Sequence, residues 1–243
     1  MRIIFPNKQN NPLIHKFILS FPWIVFFCSS LSPILSFMLA SVLRIPGPQF
    51  FLGLSLYGIK QAYFWQFLTY PLISSSDTIF STSFLIKNVL ISLVLRYTLK
   101  TFEIKSGSKI VFIFLISNIL IIGALSWSLM TITNNFNIFF SSIFLIVSLA
   151  NINISLFPNQ IIRLRIPFPT IKIKWIYLAT FGFLLLYYIS HRNFINFGAS
   201  LFSFFFSSLF CIFLKIPNPF LKDLEIQRKI KTVKIKVIKK NKN

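Results

Sequence analysis

Acidic residues are almost missing: Asp77, Glu103, Asp223 and Glu225 are the only four in 243 residues. Charged residues of both signs make up 12% of the chain, about half of the roughly 25% that a soluble domain carries. So few charges cannot cover a water-facing surface of this size, and lipid is therefore the expected main solvent. Cysteine is scarce as well. Cys28 and Cys211 each lie inside an apolar run with no partner at metal-ligand spacing. This argues against a disulfide framework or a zinc site and leaves both as small apolar filler. Charges inside the apolar runs are few, and no internal or inverted repeat is visible, which argues against a channel or secondary transporter. No cofactor or metal is expected.

What is present is apolar and basic. The chain is 55% hydrophobic and 18% aromatic, with mean hydropathy +0.75 and net charge +21. Phe, Ile, Lys and Asn are in excess, as an AT-rich genome would make them, so placement carries more information than frequency. Uncharged runs cover 17–43, 110–130, 136–157 and 194–214. Each is long enough to cross a hydrocarbon core of about 30 Å at about 1.5 Å per residue. A fifth run, 79–99, reads as a span although it holds Lys87 and Arg96. A sixth, 175–189, is short at about 22 Å and crosses only with local thinning or snorkelling by Lys174. The first run is longer than a signal-peptide core and lacks a small-residue cleavage site after it, so it reads as an uncleaved anchor.

The basic residues sit between and after these runs. With six spans, 21 of the 25 Lys and Arg fall on one side: Arg2, Lys8 and Lys16, then Arg96 to Lys109, then Arg163 to Lys174, then ten from Lys215 onward. The other side has Arg44, Lys60 and Arg192, and Lys87 lies within a span. The excess of Lys and Arg on one side places both termini in the cytoplasm. The charge is thus a topology signal, and no nucleic-acid partner is expected. The expected layout is an N-tail over 1–16, a six-helix membrane domain over 17–214 and a basic C-tail over 215–243. The tail alternates Lys with Ile and Val and reads either as an arm for anionic lipids or as a solvated tail. The first loop, 44–78, is rich in aromatics, including Trp65 and Tyr70. It is expected in the membrane interface, where such rings settle at headgroup depth.

The fourth run carries Asn137, Ser141, Ser148 and Ser155 at intervals of four and seven, one face of a helix. The sixth carries Asn196, Ala199, Ser203 and Ser207. Small and hydroxyl-bearing residues let membrane helices approach and bond, so these two faces are expected to pack together.

Four stretches, in order, resemble the rhomboid family. Trp65, Gln66, Thr69 and Tyr70 are similar to the motif before its second helix. Glu103 followed by Ser106, Gly107 and Ser108 resembles its entry to the third. Pro158, Asn159, Ile166 and Pro167, then Lys172 to Trp175, resemble its link between helices four and five. Asn196 with Gly198 and Ala199 resembles its His-x-Gly-Gly at helix six. The resemblance covers about 17–214 and implies an all-α rhomboid-like bundle of six transmembrane helices.

Rhomboids are intramembrane serine proteases, or inactive relatives that bind transmembrane segments. Serine needs a neighbouring base to become nucleophilic. The resemblance puts the nucleophile at Ser141, where Phe139 and Ser142 stand at the two glycines of the GxSG motif. It puts Asn196 at the histidine position, and an amide is no general base near neutral pH. An Asn196–Ser141 hydrogen bond would leave packing worth about 0.6 kcal/mol. His191, in a shifted register, and Lys87, with Asp77 as its ionic partner, are the alternative bases. His15 has no expected role. Active members often carry His-x-x-x-Asn in helix two. The best match, Phe84 to Asn88, makes Asn88 the oxyanion candidate, 15 residues before Glu103 and about three more than the family spacing. The expected function is a pseudoprotease that binds client transmembrane helices, with a divergent serine endopeptidase as the alternative. The expected location is a bacterial inner membrane, or else a eukaryotic endomembrane.

Overall fold

The computed structural model describes residues 11–73, 82–158, 161–162 and 171–216. Asp77, the link around Ile166 and Pro167, and the C-tail beyond Ile216 lie outside the described residues, as do the readings made on them.

Helix α1 (Pro12–Met38) opens on Asn11, whose side chain accepts from the Leu13 N–H, with Pro12 in the first turn. There the missing amide hydrogen costs nothing. It runs on through a wider turn to Leu43 and ends at Arg44 in the left-handed conformation. Three short helices follow in the first loop: α2 (Pro48–Leu52), α3 (Leu56–Lys60) and α4 (Gln66–Thr69). Helices α5 (Thr82–Ser106) and α6 (Ser108–Ile132) are joined by one residue, Gly107, at φ 86°. Glycine takes that backbone without strain, and its N–H caps the Glu103 carbonyl at 2.8 Å. Next come α7 (Ile143–Leu156), a two-residue antiparallel ladder between β1 (Ile161–Ile162) and β2 (Ile171–Lys172), α8 (Ile173–Ser190) and α9 (Phe194–Phe213).

Five of these helices, Pro12–Leu43, α5, α6, α8 and α9, are long and apolar enough to cross a membrane. Polarity is arranged inside out. Asn88, Asn118, Ser126, Ser148, Asn151 and Ser203 are buried, while Phe27, Ile86, Phe183, Phe205 and Phe213 are exposed. Water does not favour that exchange, whereas lipid does, because buried polar groups bond one another and apolar side chains meet acyl tails. The protein is an integral, multi-pass helical membrane bundle.

The expected helix over 136–157 is shorter in the structure. Residues 136–142 are not helical, and α7 begins only at Ile143. At 14 residues it spans about 21 Å. Asn137 and Ser141 therefore do not share a helix face with Ser148 and Ser155. Backbone without a helix must find partners inside the protein at membrane depth. Phe139 finds them in the first loop, exchanging both backbone hydrogen bonds with Leu54 at 2.7 and 3.0 Å.

The first loop is itself a folded plug. Trp65, Gln66 and Thr69 cap the last carbonyls of α2: Trp65 Nε1 donates to Phe51 O at 2.9 Å, Gln66 Nε2 to Phe50 O at 3.1 Å, and Thr69 Oγ1 to Leu52 O at 2.8 Å. Gln66 Oε1 accepts from the Ser55 N–H at 3.2 Å. Gly58 lies directly against this amide, and a Cβ there would collide with it. Tyr70 pins the plug to α6 through a hydrogen bond to Ile119 O at 3.0 Å. Burial pushes that phenol well above its ordinary pKa, so it stays a donor.

Candidate functional site

Where α7 begins, its first residues face a cavity of about 350 Å³ bounded by α5, α8 and the start of α9. Lys87 and Ile91 line it from α5, Ser141, Ser142 and Ile143 from the α7 entry, and Tyr187, Tyr188, Asn193 and Asn196 from α8 and α9. Three candidates taken from far apart in the chain, Lys87, Ser141 and Asn196, thus border one space.

Ser141 Oγ accepts from the Ile143 N–H at 3.2 Å and so caps the helix it precedes. Its neighbour Ser142 is buried, and its carbonyl accepts from the Leu145 N–H at 3.1 Å. Asn196 is half-buried in the first turn of α9, where its N–H bonds the Asn193 side chain at 3.2 Å. The expected Asn196–Ser141 hydrogen bond is not present among the described residues. Lys87 is exposed on α5 and has no ion-pair partner among the described residues.

His191 lies elsewhere. It lines a neighbouring cavity of about 330 Å³ together with Arg192, Asn135 and Asn137. Its Nδ1 sits 2.9 Å from Tyr187 O and 3.0 Å from Ser190 Oγ, and its ring packs 4.2 Å from Tyr187. The two cavities share Phe140, Asn193 and Asn196 along their common wall. Asn88 faces away from both. It is buried against α1 and donates to Ser30 Oγ at 3.3 Å. The α5 residues that do reach the cavity are Lys87 and Ile91, four apart, with Ile91 twelve residues before Glu103.

Below the cavity α7 and α9 pack as their small residues imply, but through partly different groups. Ser203 Oγ donates to Phe144 O at 2.6 Å. Asn151, which the stripe did not include, donates to Ser207 Oγ and Ser208 Oγ, both at 2.9 Å. Ser148 turns instead to α6, accepting from Asn118 at 2.7 Å. Tyr177 ties α8 to α7 through Val147 O at 2.9 Å, and Tyr188 shares a hydrogen bond with Ser200 on α9.

At the far end of the bundle, buried Glu103 accepts from Ser108 Oγ at 2.6 Å and pairs with His15 Nδ1 at 2.9 Å. His15 therefore has a structural partner that the sequence did not suggest. Its only signal was a lone imidazole one helix turn from the start of α1. No group of His, Cys, Asp or Glu among the described residues is placed to hold a metal. Comparison with protein-family models, with curated proteins and with solved structures found no match.

Proposed function

We propose that this chain is a rhomboid-like protein of six spans that binds transmembrane helices of client proteins without cutting them. The supporting observation is the cavity that Ser141 borders together with Asn196, an amide with no capacity to take the serine's proton. Phe139, at the first glycine position of the resembled motif, is buried, with its ring 5.3 Å from Tyr70. A glycine at that position would leave the backbone open to a substrate and an oxyanion hole, and a buried phenylalanine does not. His191 is held by the Tyr187 carbonyl and borders the adjoining cavity. In this reading α7 and its extended lead-in form the fourth crossing. Both termini are cytoplasmic, and the C-tail rests on anionic lipid of a bacterial inner membrane.

The test is labelling of the purified protein with a fluorophosphonate probe, beside incubation with a generic transmembrane substrate. No labelling, with peptides retained on the protein, is the expected result. Labelling or cleavage that disappears in Ser141→Ala overturns the reading in favour of a serine endopeptidase. One observation favours that second reading: Lys87 borders the same cavity as Ser141, and lysine is the base in Ser-Lys variants of the serine-hydrolase arrangement. Loss of labelling in Lys87→Gln would be its signature.

A further inference from the structure

The cavity beside Ser141 has a charge character that client binding in general does not require. Lys87 is the only ionisable cation that lines it, and no carboxylate does so among the described residues. The rest of its polar lining can donate: the Ser141 and Ser142 hydroxyls, the Asn193 and Asn196 amides, and the Tyr187 and Tyr188 phenols. The first turn of α7, a 14-residue helix, opens into the same space. Its N-terminus carries the positive end of the helix dipole, with the Ile143 N–H already bonded to Ser141 Oγ. Ser142 is only 9% exposed and borders the cavity, with no side-chain hydrogen bond among the described residues.

We infer that this cavity binds a carboxylate, and that the carboxylate is an Asp or Glu side chain near the outer end of a partner's transmembrane helix. The inference rests on the client-binding reading and names what that site selects. Lys87 lies on α5 about 8 Å in from Thr82, and its neighbours Leu85, Ile86, Val89 and Leu90 are exposed apolar residues. A helix lying against α5 therefore meets hydrocarbon-like surface on either side of a single cation. An acid on that helix is costly in lipid unless paired, and Lys87 provides the pair. A lipid phosphate shares the acceptor chemistry. However, a diester carries two acyl chains and a glycerol, whereas the space is about 350 Å³ and polar.

The full-length protein in neutral-lipid nanodiscs is titrated with fluorescent leucine-rich transmembrane peptides that differ only in Glu or Gln one turn and a half from the outer end. The Glu peptide is expected to bind about tenfold tighter, the factor that one charge-assisted hydrogen bond supports. Lys87→Arg keeps the preference, and Lys87→Gln removes it without changing thermal unfolding. Equal binding of both peptides overturns the inference alone and leaves client binding intact. Binding of neither overturns both. A Glu preference abolished by adding anionic lipid assigns the cavity to phosphate and overturns the inference. So does a preference that emerges only in Asp77→Asn, because the chain's own acid then neutralises Lys87.

Discussion

The Ser203 hydroxyl donates to the Phe144 carbonyl at 2.6 Å, which fixes α9 against the first turn of α7, two residues below the serine pair that borders the cavity. Small side chains on α9 let this contact form, and Asn151 repeats it two turns deeper with Ser207 and Ser208. Asn151→Val is expected to destabilise the bundle by about 1–2 kcal/mol and Ser203→Ala by about 1 kcal/mol, within the range of interhelical hydrogen bonds in bilayers. Unfolding in mixed micelles of rising SDS content measures both. A double variant that loses no more than Asn151→Val would show that the two contacts do not act independently.

Gln66 is fully buried and satisfies three backbone groups at once. Gln66→Leu orphans the Ser55 N–H and the Phe50 carbonyl, while Phe51 O keeps its bond from Trp65 Nε1, and is expected to cost about 2–3 kcal/mol. The loss should first appear as protease cleavage between 53 and 65, with α5 to α9 intact. Gly58→Ala places a methyl group against the same amide and should produce the same cleavage pattern with the glutamine still present.

Glu103 holds Ser108 from a buried position and His15 from a half-exposed one. Removing the acceptor is expected to cost more than removing the imidazole. Glu103→Leu leaves the Ser108 hydroxyl and the His15 ring without their acceptor and loses about 2 kcal/mol. His15→Ala loses under about 1 kcal/mol, because solvent screens the pair on its open side. Denaturation at low and high salt checks the ordering, and only the His15 contribution should weaken with salt.

The proposed topology of six crossings with cytoplasmic ends would place Lys60 outside and Lys109 inside. In a background with Cys28 and Cys211 changed to Ala, Lys60→Cys should react with an impermeant maleimide on intact cells, and Lys109→Cys only after lysis. Reaction of both on intact cells would remove the six-span topology.

The long helices were legible because a run of twenty or more residues without charge has little alternative but to be a span. Helices α6 and α9 match their runs to within two residues at each end. The start of α7 was hidden because residues 136–142 carry no charge and continue the run of the helix that follows. Hydropathy cannot tell a helix from extended chain whose backbone is satisfied by a distant strand, here Leu54. The same gap displaced the polar stripe. Asn151, three residues after Ser148 and four before Ser155, lies beside that face by helical spacing, and its choice of Ser207 and Ser208 as partners is tertiary. On α5, amide chemistry pointed to Asn88 as the inward residue. The rotation of that helix instead turns Asn88 to Ser30 and brings the charged neighbour Lys87 to the cavity. That rotation is set by packing on α1, whose polar residues Ser29, Ser30 and Ser32 are buried among the helices, a tertiary fact with no local signature.

Phe139 is tied in both directions to Leu54 and stands two residues from Ser141. The serine is thus moored sideways to the first loop as well as lengthwise to its helix. A molecule that lifted the loop would drag Ser141 along with it, so the plug and the serine behave as one mechanical part, and its stiffness limits how far the mouth of the cavity can gape.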